Sequence, residues 1–276
     1  MAPLLNLVGA GHVGRTLGRL FAATGAFAVQ DVLTRSPDSA VEAIGFIGAG
    51  RACDELRQMR PARVWMLAVA DDAIAPACAA LAASQPLAGS IVFHCSGAKP
   101  SGELAAALDT GALVASVHPV RSFADPQAVA GAFAGTWCGV EGDPGALAVL
   151  EPAFSAIGAR LVRIDPAAKT VYHAAAVFAS NYLVTVLDAA LRAYAAAGVP
   201  DSVARELARP LASEALANVF RIGPEAALSG PVARGDFATV ARQQEALTRW
   251  DPDTGRLYEA LVAPTSDLAR RKHRSP

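Results

Sequence analysis

The chain carries almost no excess charge of either sign: 24 Lys and Arg stand against 25 Asp and Glu, a formal net charge of −1. Nucleic-acid binding rests on a basic excess or a basic stripe, and a pI near 6.5 offers no such excess. Cysteine is scarce. Cys53, Cys78, Cys95 and Cys138 are widely spaced with no Cys-x-x-Cys, so reduced, mostly buried thiols in a cytoplasmic protein are expected, not disulfides. His94, Cys95, His118 and Cys138 share no ligand spacing, and no metal is expected. Long apolar runs are also missing. The best, residues 174–187, falls short of the roughly 18–20 residues a membrane span needs and holds Ser180, Asn181 and Thr185. It reads as a buried core or interface helix, and no membrane is expected as a partner. No basic segment precedes the first apolar run, so a signal peptide is not expected. Disorder is excluded by 53% hydrophobic residues, 18% charged residues and a mean hydropathy of +0.32.

What is present is a regular alternation. Apolar runs at 4–8, 27–33, a short piece at 46–47, then 64–69, 91–94, 113–117, 137–140 and 161–164 read as strands. Helical spacing lies between them at 13–24, 38–43, 71–83, 101–108 and 144–157. Strands alternating with helices of this length imply right-handed βαβ units and a doubly wound, mainly parallel sheet. After Asp165-Pro166 no strand pattern remains. A long helix over 167–197 is predicted, stopped by Gly198 and Pro200, then one capped by Asp201 and running to about 220, then shorter ones ending near 253–262. The fold class is therefore α/β: a doubly wound sheet domain over 1–165 and an all-helical domain over 166–276. The basic tail at 270–274 reads as a frayed, solvated end.

The first strand runs directly into Gly9-Ala10-Gly11-His12-Val13-Gly14, a G-x-G-x-x-G that opens the first helix. Gly9 suits the tight turn, Gly11 a close approach of pyrophosphate, and Gly14 close helix–strand packing, with the helix N-terminus facing the phosphates. An NAD-binding site usually carries an acid near the end of the second strand. Here Thr34-Arg35-Ser36 stands instead, and a guanidinium flanked by hydroxyls suits the 2′-phosphate of NADP(H). Asp31 is a rival acid, but it precedes the strand end. The fourth strand ends at Val69, Ala70 and Asp71, along which a dinucleotide would pass, and Asp71 or Asp72 is expected to cap the following helix. Ser96 and His118 end the next two strands on the same sheet edge.

These motifs, with His94-Cys95-Ser96-Gly97-Ala98, His118-Pro119, residues 173–182 and residues 229–236, resemble a bacterial family of uncharacterised Rossmann-like oxidoreductases whose helical C-terminal domain has no assigned function. The chain is also similar to the wider superfamily of 6-phosphogluconate dehydrogenase, β-hydroxyacid dehydrogenases, pyrroline-5-carboxylate reductase and deazaflavin-dependent NADP oxidoreductases. The resemblance implies a 6-phosphogluconate dehydrogenase C-terminal-like helical domain that binds substrate, and the long apolar helix from Ala167 is expected to pack against a twin in a homodimer. It implies hydride transfer between NADPH and a small carbonyl or imine. Lys169 matches the acid/base Lys of the hydroxyacid dehydrogenases, but Tyr172 and His173 replace the amides that follow it, which departs from hydroxyacid chemistry. Lys169 and His173 share a helical face to which Ser180 returns. One of the two is the expected acid, with Ser96, His118 and Asn181 orienting substrate. The rival reading is a non-catalytic NADP(H)-binding or redox-sensing protein.

Overall fold

The structure, a computed structural model, describes residues 1–272 and divides into two compact units, Met1–Val177 and the remainder from Phe178 onward. The first opens with β1 (Leu4–Val8), α1 (His12–Thr24), β2 (Ala28–Leu33), α2 (Pro37–Ile47) and β3 (Arg51–Cys53). It continues with β4 (Val64–Leu67), α3 (Ile74–Ser84), β5 (Ile91–His94), α4 (Ala105–Leu108) and β6 (Leu113–Pro119). It closes with α5 (Pro126–Gly131), β7 (Trp137–Gly142), α6 (Pro144–Ala156), β8 (Arg160–Arg163) and α7 (Lys169–Val177). One eight-stranded sheet has the order β3-β2-β1-β4-β5-β6-β7-β8.

Every neighbouring pair is parallel except β6 and β7, where His118 faces Gly139 and Ser116 faces Glu141. The reversed strand follows a connection that holds only the short α5. Strands buried on both faces read as near-continuous apolar runs, which is why β1, β4 and β5 are legible in sequence. One core face gathers Leu5, Leu7, Phe93 and Phe154. Its aromatic rings meet edge to face, Phe21 on Phe27 at 5.0 Å and on Phe154 at 5.2 Å. The other face holds Val8, Trp65, Leu67 and Leu81.

Local chemistry sets the helix bounds. Ser36 caps α2 by accepting the Ser39 N–H, Pro37 follows in the first turn, and Gly48 ends it in the left-handed conformation. The piece at 46–47, apolar in sequence, is the end of this helix, and β3 and α5 carry too little apolar pattern to be read without the structure. Neither Asp71 nor Asp72 caps α3 through a side-chain hydrogen bond, contrary to expectation: a 3₁₀ turn over Asp71–Ala73 intervenes and Ala73 takes the cap position.

The second unit contains α8 (Leu183–Ala196), α9 (Asp201–Ile222), α10 (Pro224–Ala227), α11 (Phe237–Trp250) and α12 (Pro252–Lys272). The helix expected over 167–197 is not one regular α-helix, since a π segment at Phe178–Tyr182 separates α7 from α8. Pro200, not Asp201, takes the cap position of α9. The last helix runs on through Pro264, past the stop expected near 262. Arg270, Arg271 and Lys272 belong to α12, while the rest of the basic tail lies outside the described residues. The stretch Pro166–Ala196 is long and apolar enough to cross a membrane by length and composition. Of the core and interface readings of its apolar stretch, the core one is not met: none of its most apolar window is buried. Among the described residues of the second unit, only Ala204, Val240 and Ala269 are buried apolar side chains, while Phe178, Val184, Leu211 and Phe220 are exposed.

Candidate functional site

The dinucleotide motif is built where β1 meets α1. Gly9 sits at φ 86°, and its N–H donates to Leu33 O at 2.8 Å. A Cβ on Gly9 would lie 2.6 Å from Ala68 O, and one on Gly14 would lie 2.7 Å from Ala68 Cβ, so both glycines allow an approach to the end of β4 that a side chain would block. Gly11 differs: a Cβ there meets nothing within 4 Å. It borders a groove of about 290 Å³ lined with His12, Val13, Ala68, Val69, Ala70, Asp71, Cys95 and Ser96. Ala10, between Gly9 and Gly11, is buried. His12 Nδ1–H donates to Phe123 O at 2.7 Å, tying the loop after β6 to the motif.

At the end of β2, the Thr34 and Ser39 hydroxyls are 2.6 Å apart, Ser36 caps α2, and Arg35 is exposed. Asp31 is fully buried and committed elsewhere. It pairs with Arg51 at 3.0 Å and Arg60 at 2.6 Å and accepts the Arg60 backbone N–H at 2.7 Å. Burial alone would raise its pKa, but the Arg60 and Arg51 hydrogen bonds outweigh that and hold it below the usual carboxylate range. It staples β3 and the loop before β4 to β2, and has no free oxygen for a ribose.

The next two strands bring the chemistry. His94 accepts the Ser96 N–H at Nδ1 and donates from Nε2 to Pro100 O at 3.1 Å, and the Ser96 hydroxyl accepts the N–H groups of Ala98 and Lys99. Together they fold the 96–100 turn. Gly97 in that turn lies against two imidazoles: a Cβ would come 2.5 Å from His173 Cδ2 and 2.7 Å from His118 Nε2. His118 Nδ1 is 3.1 Å from the Tyr172 hydroxyl, and the His118 and His173 ring centroids are 5.8 Å apart. Tyr172 lies over Gly139, where a Cβ would stand 2.5 Å from its hydroxyl. His118, Tyr172 and His173 thus form one cluster, joined through Gly97 and Ser96 to the wall of the groove.

Burial, with the His173 and Lys169 charges, pulls the His118 pKa down to about 4. Burial with Lys169 does the same to His94, also to about 4. Burial and nearby Cys138 push the Tyr172 phenol up. At neutral pH the cluster therefore presents a neutral His118 imidazole and a protonated phenol beside the groove, a pair able to donate a proton.

Lys169 is elsewhere. It is 1% exposed, its ammonium donates to Glu141 Oε1 at 2.8 Å and to the Ser116 hydroxyl, and Glu141 also accepts the Ser101 N–H at 2.8 Å and O–H at 2.6 Å. Burial lowers the Lys169 pKa against the opposing pull of Glu141. Asn181 lies in the second unit, exposed, accepting a hydrogen bond from the Ser180 hydroxyl at 2.8 Å. Tyr172 and Glu141 escape a motif reading. Tyr172 is signalled only by lying three residues after Lys169, and Glu141 by a lone charge in an apolar strand.

No curated protein matches the chain. Among solved structures, a protein from Thermotoga maritima is 26% identical, covers 98% of this chain and 99% of its own, and superposes with a TM-score of 0.75. One from Bacteroides fragilis, described as a candidate NADP oxidoreductase, is 21% identical over 96% of this chain and 98% of its own, with a TM-score of 0.78. An imine reductase from Myxococcus stipitatus in complex with NADP+ is 16% identical over 99% of this chain and 94% of its own, with a TM-score of 0.66. Residues 4–119 match the Rossmann-like domain family and residues 136–265 match DUF2520, a domain of unknown function. The chain is a Rossmann-like domain followed by a DUF2520 domain.

Proposed function

We propose that this protein is an NADP-dependent oxidoreductase that transfers a hydride between NADPH and a small carbonyl or imine. One observation carries the reading: a groove shaped by the glycine motif opens beside a cluster of proton-donating side chains on the same sheet edge. The groove suits a dinucleotide, because Gly11 leaves open space where the pyrophosphate would approach the α1 N-terminus. NADP(H) in place of NAD(H) is supported by exposed Arg35 between Thr34 and Ser36, and by the commitment of Asp31 to Arg51 and Arg60. The fold shared with an imine reductase that binds NADP+ supports the same class.

Bound NADPH supplies the hydride. Val69 and Ala70 would lie along it, and Ser96 would border its reactive end. Tyr172, hydrogen-bonded to His118, would hold the proton for the oxygen or nitrogen that receives the pair's second hydrogen, with His173 beside it. Lys169 is engaged by Glu141 and Ser116, so the donor role falls to this cluster.

A homodimer formed through the helical domain is part of the proposal. A unit that buries so few apolar side chains while exposing Phe178, Leu211 and Phe220 leaves much of its apolar surface unsatisfied until something covers it. A cytoplasmic setting is supported by four free cysteines, three of them buried.

The test is a fluorescence titration with NADPH and with NADH, followed by a screen of aldehydes, ketones and cyclic imines for NADPH consumption. Saturable NADPH binding with turnover of a carbonyl or imine is expected. Absence of binding overturns the reading, and binding without turnover across the screen replaces it with a non-catalytic NADP(H)-sensing role.

A further inference from the structure

We propose that Lys169 and Glu141 form a positioning pair that sets α7 in register on the β6–β7 ladder and so presents Tyr172 and His173 to His118. The inference rests on the proton-donor role given to that cluster above.

Two alternate rungs of the ladder, separated by the Val117–Val140 pair, carry the argument. Ser116 pairs with Glu141, and two residues along, His118 pairs with Gly139. Residues two apart on a strand point to the same face. The first rung holds Lys169, through both Ser116 and Glu141. The second holds Tyr172, through His118 Nδ1 and the open face of Gly139. Lys169, Tyr172 and His173 are i, i+3 and i+4, one face of a helix. Helix and ladder therefore meet at two matched points.

The burial pattern shows which point fastens the helix. Lys169 is the buried residue of α7, whereas Val171 is 74% exposed and Ala174 and Ala175 are exposed. An amphipathic helix is normally held by an apolar stripe. Here a charge pair takes that place. Its satisfaction is extensive, for Glu141 also accepts both donors of Ser101. A buried pair of this kind supplies direction and register that apolar contacts lack, and removing one partner strands the other charge. Lys169 is thus a positioning residue.

The test follows His118 by NMR, using the ring 13C and 15N shifts of the full chain without cofactor. Groups that face His118 are Tyr172 and His173 from α7, together with Lys169 and Asp71, whose charges act on it. Glu141→Gln removes a negative charge. If charge alone mattered, His118 would become harder to protonate or stay unchanged. If α7 loses its register, His118 gains water and its titration midpoint rises from about 4 toward 6.5, by about one pH unit or more. Ser116→Ala, which keeps both charges, is expected to move it the same way by less. NADPH affinity, measured separately, is expected to stay within about twofold, since neither residue lines the groove. A folded Glu141→Gln protein with an unmoved or lowered His118 midpoint overturns the inference. Should that variant fail to fold, an unmoved midpoint in Ser116→Ala overturns it. The measurement needs no cofactor, so failure of wild-type NADPH binding would overturn the functional reading and leave this result standing.

Discussion

The Tyr172 hydroxyl and His118 Nδ1 lie 3.1 Å apart, with the two rings nearly perpendicular at 88°. The contact joins the start of α7 to the end of β6 and puts a phenol and a neutral imidazole in one hydrogen-bonded unit. Tyr172→Phe keeps the packing over Gly139 and removes the proton. On a substrate returned by the NADPH-consumption screen, kcat is expected to fall by about 10²–10⁴ with NADPH affinity unchanged. Full turnover in that variant would exclude Tyr172 as the donor.

Gly97→Ala tests the cluster by crowding. The added methyl would stand 2.5 Å from His173 and 2.7 Å from His118, so one ring or the turn must shift. Overpacking of this kind costs about 1–3 kcal/mol. Calorimetry is expected to show a lower melting temperature, and turnover should drop while NADPH still binds. An unaltered melting temperature with unaltered histidine NMR shifts would mean that the turn relaxes without cost.

Cofactor choice is expected to depend on Arg35 and not on Asp31. A charge-assisted hydrogen bond contributes about 1.5–3 kcal/mol, so Arg35→Ala should weaken NADPH relative to NADH by about 10- to 100-fold. Asp31→Asn should lower stability through its arginine partners and leave the NADPH to NADH ratio alone. A ratio unmoved by Arg35→Ala would remove the 2′-phosphate assignment.

Acid sensitivity has a defined window. His94 and His118 have folded-state pKa values of about 4, below the 6.5 of an ordinary histidine. The unfolded chain therefore binds more protons than the folded one between these values. Their contribution to stability is complete above about 6.5 and is lost as the pH falls toward 4. Urea midpoints measured from pH 7 to 4 should decline over that range, and the decline should flatten in His118→Asn. A midpoint that stays level from pH 7 to 5 would contradict buried neutral imidazoles.

The exposed apolar surface of the second unit predicts a dimer. Light scattering should give twice the 28.3 kDa chain mass, and Phe178→Asp should shift it toward the monomer. A wild-type mass of 28.3 kDa at micromolar concentration would rule the dimer out.

The glycine turn between β1 and α1 was legible in the sequence, and the polar cluster around His118 only in part. Gly9, Gly11 and Gly14 act through a turn, an open approach and a close packing contact, all local to one strand–turn–helix unit. His118 and His173 could be named as candidates because each stands out in an apolar element. Their partners could not. Lys169 reads as an acid at a helix start, and only burial against Glu141 shows it as a paired charge. The π segment at Phe178–Tyr182 likewise could not be placed from a 3.6-residue period.

Sequence alone determined the alternation of most strands and helices, the glycine turn and the absence of an acid at the end of β2. These follow from period, turn chemistry and short spacing, which a linear reading carries. Tertiary structure decided the reversal of β7, the commitment of Asp31 to two arginines and the pairing of Lys169 with Glu141 and of Tyr172 with His118. Those last two contacts join residues 28 and 54 positions apart. They depend on the register of an antiparallel ladder and on how a helix sits upon it, and no local pattern encodes which polar groups that register brings face to face.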